Sequence, residues 1–111
     1  MESKNLQIIN KILNEIAIIN ELTADMNFEL FLSDEKTKRA TCMTLINIGE
    51  LVKNLSDEFR LANAEIPWKA ISGLRDITAH RYQTLRMEDI WNTIQTDIPV
   101  LNEQLMKLTS G

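Results

Sequence analysis

The segment from Ser33 to Leu55, SDEKTKRATCMTLINIGELVKNL, opens on a helix start signal and then contains no proline. Ser33-Asp34-Glu35 offers a capping side chain followed by an acid, which favours the positive end of a helix dipole. The spacing predicts a helix from about Asp34 to Leu55, with Ala40, Met43, Ile46, Leu51 and Leu55 near one side. Gly49 sits inside it at a cost of about 1 kcal/mol relative to alanine. A glycine there most simply permits close approach of another helix.

Elements of the same kind lie on both sides. Upstream, Leu6, Ile9, Leu13, Ile16, Ile19 and Leu22 recur at spacings of three and four, and Ile8, Ile12 and Ile18 widen the stripe. Asn27 to Leu32 forms a short link. Downstream, Ser56 to Glu65 reads as polar and irregular, with Phe59 able to tie it to the core. Ile66-Pro67-Trp68 marks a new helix start, because proline is tolerated in the first helical turn. That helix carries Trp68, Ile71, Leu74 and Ile77 and is expected to end around His80–Tyr82. After a connection from Gln83 to Arg86, a last helix runs from about Met87 to Leu108. Pro99 inside it predicts a kink, or two helices in series. The expected architecture is all-α: an antiparallel bundle of four or five helices in one domain, residues 1–111.

Composition agrees. The chain has 111 residues, 44% of them apolar, and only three glycines and two prolines, too few turn signals for a sandwich or barrel. A domain of this size buries a modest share of its surface, which makes a partner subunit attractive. The single Cys42 excludes an internal disulfide framework and fits a reducing cytosol. Neither a secretory leader nor a membrane span is expected, since no apolar run approaches ~18 residues. From Pro67 to Arg86 the charged residues are Lys69, Arg75, Asp76, Arg81 and Arg86, a net of +3, leaving −7 for the rest of a chain whose total is −4. A basic window on an acidic body suits one anionic ligand bound at one place, although basic residues also commonly do no more than solvate a helix.

The concentrated chemistry is Arg75-Asp76-Ile77-Thr78-Ala79-His80-Arg81-Tyr82, which holds the only histidine and the only tyrosine of the chain. On an ideal helix Asp76 and His80 share a face, so the carboxylate can orient the imidazole. Arg75 and Tyr82, seven apart, share a neighbouring face, and all four tips can converge on one small anion. Arginine presents a planar fork of donors to phosphate oxygens, and histidine moves a proton near neutral pH. With RNA the 2′-hydroxyl is the nucleophile, so the chemistry requires neither a metal nor a covalent intermediate. One imidazole does not conveniently serve as acid and base at once; a second copy of the site across a two-fold axis solves that.

Structural roles compete with this reading. A lone histidine at a helix C-terminus is more often a cap or dipole partner than a catalyst. Arg75 has acids elsewhere to pair with, and Tyr82 fits a half-buried core ring. Trp68 and Trp91 read as core anchors, Met26, Met43 and Met106 as helix filling, and Cys42 as a buried thiol. One histidine and scattered carboxylates form no recognisable metal-ligand spacing.

Arg75, four residues, then His80-Arg81-Tyr82 resembles the Arg-x4-His-x-Tyr motif of the HEPN superfamily, most closely its HepT-like ribonuclease toxins. Ile48-Gly49-Glu50 on the preceding helix, Asp57-Glu58-Phe59, Ile66-Pro67-Trp68-Lys69-Ala70-Ile71, Leu74-Arg75-Asp76, Ile90-Trp91 and Asp97-Ile98-Pro99 are similar to the family's flanking segments. The similarity spans roughly residues 33 to 105. The sequence departs from the family pattern at Arg81 and Gln83, where members commonly carry Gly or Asp and Phe.

The resemblance implies an all-helical homodimer whose two motif segments face each other, and a metal-independent endoribonuclease without cofactor. It implies the toxin of a type VII-like toxin–antitoxin pair in the prokaryotic cytoplasm, neutralised by a minimal nucleotidyltransferase that in some pairs adds AMP to the motif tyrosine, here Tyr82. By position, Arg75 would bind the scissile phosphate, His80 act as acid–base group and Asp76 orient it. Arg81, Lys69 and Arg86 are candidate RNA contacts. The rival expectations are a non-catalytic HEPN module that binds a nucleotide or protein partner, and a helical dimer whose motif only holds the fold together.

Overall fold

The computed structural model describes residues 2–77 and 79–110, and for Ala79 and His80 the backbone alone. Among the described residues every regular element is helical. Eight α-helices follow one another within the described residues: α1 Ser3–Thr23, α2 Phe28–Ser33, α3 Glu35–Lys53, α4 Asp57–Ala62, α5 Trp68–Ser72, α6 Ala79–Tyr82, α7 Met87–Asn92 and α8 Ile98–Ser110. A 3₁₀ turn, Gly73–Asp76, follows α5, and a π turn, Thr93–Asp97, joins α7 to α8. The all-α bundle is therefore as expected. Its helices are more numerous because the segments read as continuous or irregular are subdivided.

The long helix α3 is the axis of the molecule, in contact with α1, α2, α5 and the 3₁₀ turn. Its start is set as the sequence implies, by the Asp34 side chain accepting from the Thr37 amide at 3.1 Å. That bond holds the Asp34 carboxyl below its ordinary range. Helix α1 runs antiparallel to α3: Asn5 pairs with Ser56 near one end, and Asn47 donates to Glu15 at 2.8 Å further along. Between them lie Ile9, Ile12, Ile16 and Ile19 of α1 and Leu45, Ile48 and Val52 of α3, all at most 1% exposed. Burying such side chains stabilises the fold by about 1.5–3 kcal/mol each.

Three apolar residues placed in the stripes face outward instead. Met43 is 54% exposed, Ile18 42% and Leu6 37%. The buried face of α3 follows Thr41, Cys42, Leu45, Ile48, Gly49 and Val52, so Met43 falls on the opposite side. The residues from Ser56 to Glu65 are not irregular. Ser56 caps α4 by accepting from the Phe59 amide, and Phe59 packs against Trp68 with ring centroids 6.0 Å apart. The Trp68 indole donates to the Asn63 carbonyl at 3.0 Å, so the indole both fills the core and ties down the turn before α5. Trp91 likewise packs on Phe31 at 5.1 Å and on Phe28 at 6.3 Å, which joins α7 to α2.

Pro99 has the predicted effect one turn earlier. It lacks the donor that would reach the Gln95 carbonyl and its ring crowds that carbonyl, and the helix widens over Thr93–Asp97 before α8 begins. Among the described residues no helix is long and apolar enough to cross a membrane.

Candidate functional site

Arg75 and Asp76 lie on the 3₁₀ turn, both exposed, and that turn is seated on α3 at Gly49. A Cβ placed on Gly49 would stand 2.6 Å from the Arg75 backbone nitrogen and 3.1 Å from the Ser72 carbonyl oxygen. Only a residue without a side chain admits so close an approach. The role expected for Gly49 is thus met, and the element it admits is the one bearing Arg75.

The single helix expected through to His80–Tyr82 is not formed. After Asp76 the backbone of Ile77 turns extended, with φ −67° and ψ 116°, while its side chain stays buried. Thr78 lies outside the described residues, and the chain resumes helix at α6. Asp76 and His80 therefore do not share one face of a continuous helix, because Asp76 ends a 3₁₀ turn and an extended residue follows it. The His80 side chain itself lies outside the described residues.

Tyr82, at the end of α6, is anchored on the other half of α3. Its hydroxyl donates to Glu35 Oε2 at 2.7 Å, a bond spanning 47 residues of chain. The same oxygen accepts from Arg39 Nε at 2.8 Å, and Glu35 Oε1 lies 3.2 Å from Lys38 Nζ. The Arg39 guanidinium also stands over the Tyr82 ring, 4.8 Å from its centroid. The Tyr82 hydrogen bond, then those of Lys38 and Arg39, hold the Glu35 carboxyl down to about 2. Partial burial, then the bond to Glu35, pushes the Tyr82 phenol up to about 12. Both shifts describe a neutral phenol donating to a charged carboxylate.

The anchors of Arg75 and Tyr82 on α3, Gly49 and Glu35, are fourteen residues apart, about 20 Å at the helical rise. The motif segment thus lies along α3, touching it at two levels. Of the other basic candidates, Arg81 is exposed on α6, and Arg86 precedes α7 and pairs with Glu88 at 3.2 Å. Lys69 lines an open groove with Asp57, Arg60 and Ser72. Cys42 is 3% exposed, and burial pushes its thiol up to about 11, which makes it an inert core residue as its sequence context suggests. Among the described residues no group of three or more His, Cys, Asp or Glu side chains is arranged to hold a metal ion.

The sequence reading took Glu35 only as an acid at the helix start and passed over Lys38 and Arg39. The available signal was their spacing: one acid with bases three and four positions later, all on the face that Cys42 continues. Nothing local says that a tyrosine 47 residues away completes the group.

Comparison with known proteins agrees with the motif. The model of the HepT-like ribonucleases matches residues 12–108, which include the whole segment from Arg75 to Tyr82. A protein assigned as ribonuclease HepT in Thermococcus cleftensis is 34% identical over 108 residues, 97% of this chain and 98% of that one. A protein assigned as an RNase in Caldanaerobacter subterraneus subsp. tengcongensis is 38% identical over 100 residues, 90% of this chain and 89% of that one. Another assigned as an RNase, in Methanocaldococcus jannaschii, is 39% identical over 88 residues, 79% of this chain and 73% of that one. No solved structure matches the chain. With its all-helical architecture and the Arg75–His80–Tyr82 motif inside the matched region, the chain belongs to the HepT-like ribonuclease family.

Proposed function

We propose that this protein is an endoribonuclease toxin that acts as a homodimer in the prokaryotic cytoplasm and is neutralised by a minimal nucleotidyltransferase antitoxin. The observation that carries the reading is membership of the HepT-like ribonucleases over nearly the whole chain, with Arg75, His80 and Tyr82 all retained. In this reading Arg75 grips the scissile phosphate and stabilises the charge that develops on it. His80 moves the proton between the 2′-hydroxyl, which attacks phosphorus, and the leaving 5′-oxygen. Asp76 orients the imidazole across the bend at Ile77, and the second subunit supplies the complementary acid or base. Arg81, Lys69 and Arg86 draw the RNA backbone toward the cleft. The antitoxin inactivates the site by transferring AMP to Tyr82, which places bulk and negative charge where RNA phosphate must bind.

The test is RNA cleavage in excess chelator by the wild-type protein and by folded His80→Ala and Arg75→Ala variants. The expected result is metal-independent cleavage leaving cyclic-phosphate ends, lost in both variants. Equal cleavage by all three proteins would sink the assignment. A melting temperature raised by nucleotide without any RNA turnover would identify a non-catalytic binding module instead.

A further inference from the structure

We propose that Glu35, Lys38 and Arg39 form the receiving site for a phosphodiester on Tyr82: Glu35 orients the phenol and accepts its proton during nucleotidyl transfer, and Lys38 and Arg39 then pair with the phosphate. The inference rests on the reading of Tyr82 as the AMP acceptor and assigns the chain's own residues to that event.

Ion pairs three and four apart on an exposed helix are ordinary and contribute little. This one differs in what it surrounds. The third contact of Glu35 is the chain's only tyrosine, brought from another helix, with its hydroxyl 2.7 Å from the carboxylate. Arg39 touches both members, bonding to the carboxylate at 2.8 Å and covering the ring at 4.8 Å. Lys38 reaches the other carboxylate oxygen, and its side chain is only 14% exposed. The phenol thus has an acceptor in place, and that acceptor is paired with two cations.

The charges suit what transfer would bring. One carboxylate between two cations leaves one positive charge over, and a phosphodiester carries one negative charge. A phosphodiester on Tyr82 no longer donates a hydrogen bond to Glu35, and its oxygens compete with that carboxylate for the same cations. Arg39 offers further N–H donors beyond the Nε engaged now. The receiving groups already pair with the carboxylate that the phenol donates to, so little rearrangement is needed to bring them to the phosphate.

The transfer balances. Tyr82 Oη forms a bond to the α-phosphorus of ATP presented by the nucleotidyltransferase. The bond to the bridging oxygen breaks, and pyrophosphate leaves with the electron pair. The phenolic proton passes to Glu35 and from there to water. A resting carboxylate is a weak base, yet the phenolic oxygen becomes strongly acidic as its bond to phosphorus forms. An acceptor already hydrogen-bonded to it is then sufficient.

The experiment follows adenylylation by intact mass, with the cognate minimal nucleotidyltransferase and Mg-ATP. Wild type is compared with Tyr82→Phe, Glu35→Gln, Glu35→Asp and the double variant Lys38→Gln/Arg39→Gln. Wild type is expected to gain one adenylate and Tyr82→Phe none. Glu35→Gln is expected to lose about a hundredfold in kcat, the lower end of what a positioned proton acceptor contributes, with KM unchanged and part of the rate restored in Glu35→Asp. The double variant is expected to melt at a lower temperature once adenylylated, whereas wild type does not. If wild type is modified but the Glu35 variants react at its rate, or modification shifts the melting of wild type and double variant alike, this inference falls and the reading of Tyr82 stands. If wild type gains no adenylate, the reading of Tyr82 falls and takes the inference with it.

Discussion

The backbone nitrogen of Arg75 lies where a side chain on Gly49 would have to go, 2.6 Å from the position of its Cβ. The contact fixes the level on α3 at which the 3₁₀ turn sits, and with it the root of the arginine proposed to hold RNA phosphate. Gly49→Ala is a direct probe of that dependence. Alanine improves helix propensity by about 1 kcal/mol, while forcing a methyl group into a packed contact costs about 1–3 kcal/mol. The atom met is backbone and cannot swing aside, so the clash is expected to win. The variant should melt lower and cleave RNA more slowly than its lost stability explains, as thermal denaturation and cleavage assays at low temperature would show. An equally stable and equally active Gly49→Ala protein would refute the close approach.

Tyr82 can be titrated without interference, because no other tyrosine is present. Its phenol is held up at about 12 by burial and by the bond to Glu35. Ultraviolet absorbance of tyrosinate should therefore rise well above the ordinary value of 10.0, and Glu35→Gln should bring the transition back toward it. The sign of the linkage follows. A phenol raised by folding contributes stability that is complete below about 10 and lost as pH climbs toward about 12. Glu35 works the other way: held down to about 2 from 4.5, its contribution is complete above 4.5 and lost as pH falls toward about 2. An unchanged tyrosinate midpoint in Glu35→Gln would show that the bond does not hold the phenol.

Asn5 is a polar side chain buried to 4% exposure, and it closes a reciprocal pair with Ser56. Its amide donates to the Ser56 hydroxyl at 3.2 Å, and its oxygen accepts from the Ser56 backbone at 3.2 Å. The pair ties the start of α1 to the cap of α4. Asn5→Ala strips both bonds and leaves the Ser56 amide without that acceptor, at an expected cost of about 1–3 kcal/mol. Urea unfolding should show a lower midpoint with an unchanged slope. A midpoint within error of wild type would mean that water replaces the pair without loss.

Local signals made much of this molecule legible. The cap at Asp34, the close approach at Gly49, the anchoring of Trp68 and the disruption near Pro99 each depend on residues within a turn or two, where propensity and sterics act directly. Misreadings arose where packing overrides period. Met43 and Ile18 fit a stripe drawn from spacing, yet the stripe faces outward at those points because the real contact face is shifted by a residue. The stretch after Ser56 looked polar and irregular, but Phe59 and the Ser56 cap are enough to form a short helix once Trp68 covers it.

The motif divides along the same line. Sequence alone determined the family, because the Arg75–His80–Tyr82 motif is defined by type and spacing, and with it the residues proposed to carry the chemistry. Spacing could not determine how they are held. A continuous helix satisfies the local pattern through Ile77, and only burial of the Ile77 side chain against the rest of the core accompanies an extended backbone there. The partner of Tyr82 lies 47 residues away, so no local rule selects Glu35. Tertiary structure decided that the motif would run along α3 with Arg75 rooted at Gly49 and Tyr82 latched to Glu35, because those contacts exist only when distant parts of the chain pack together.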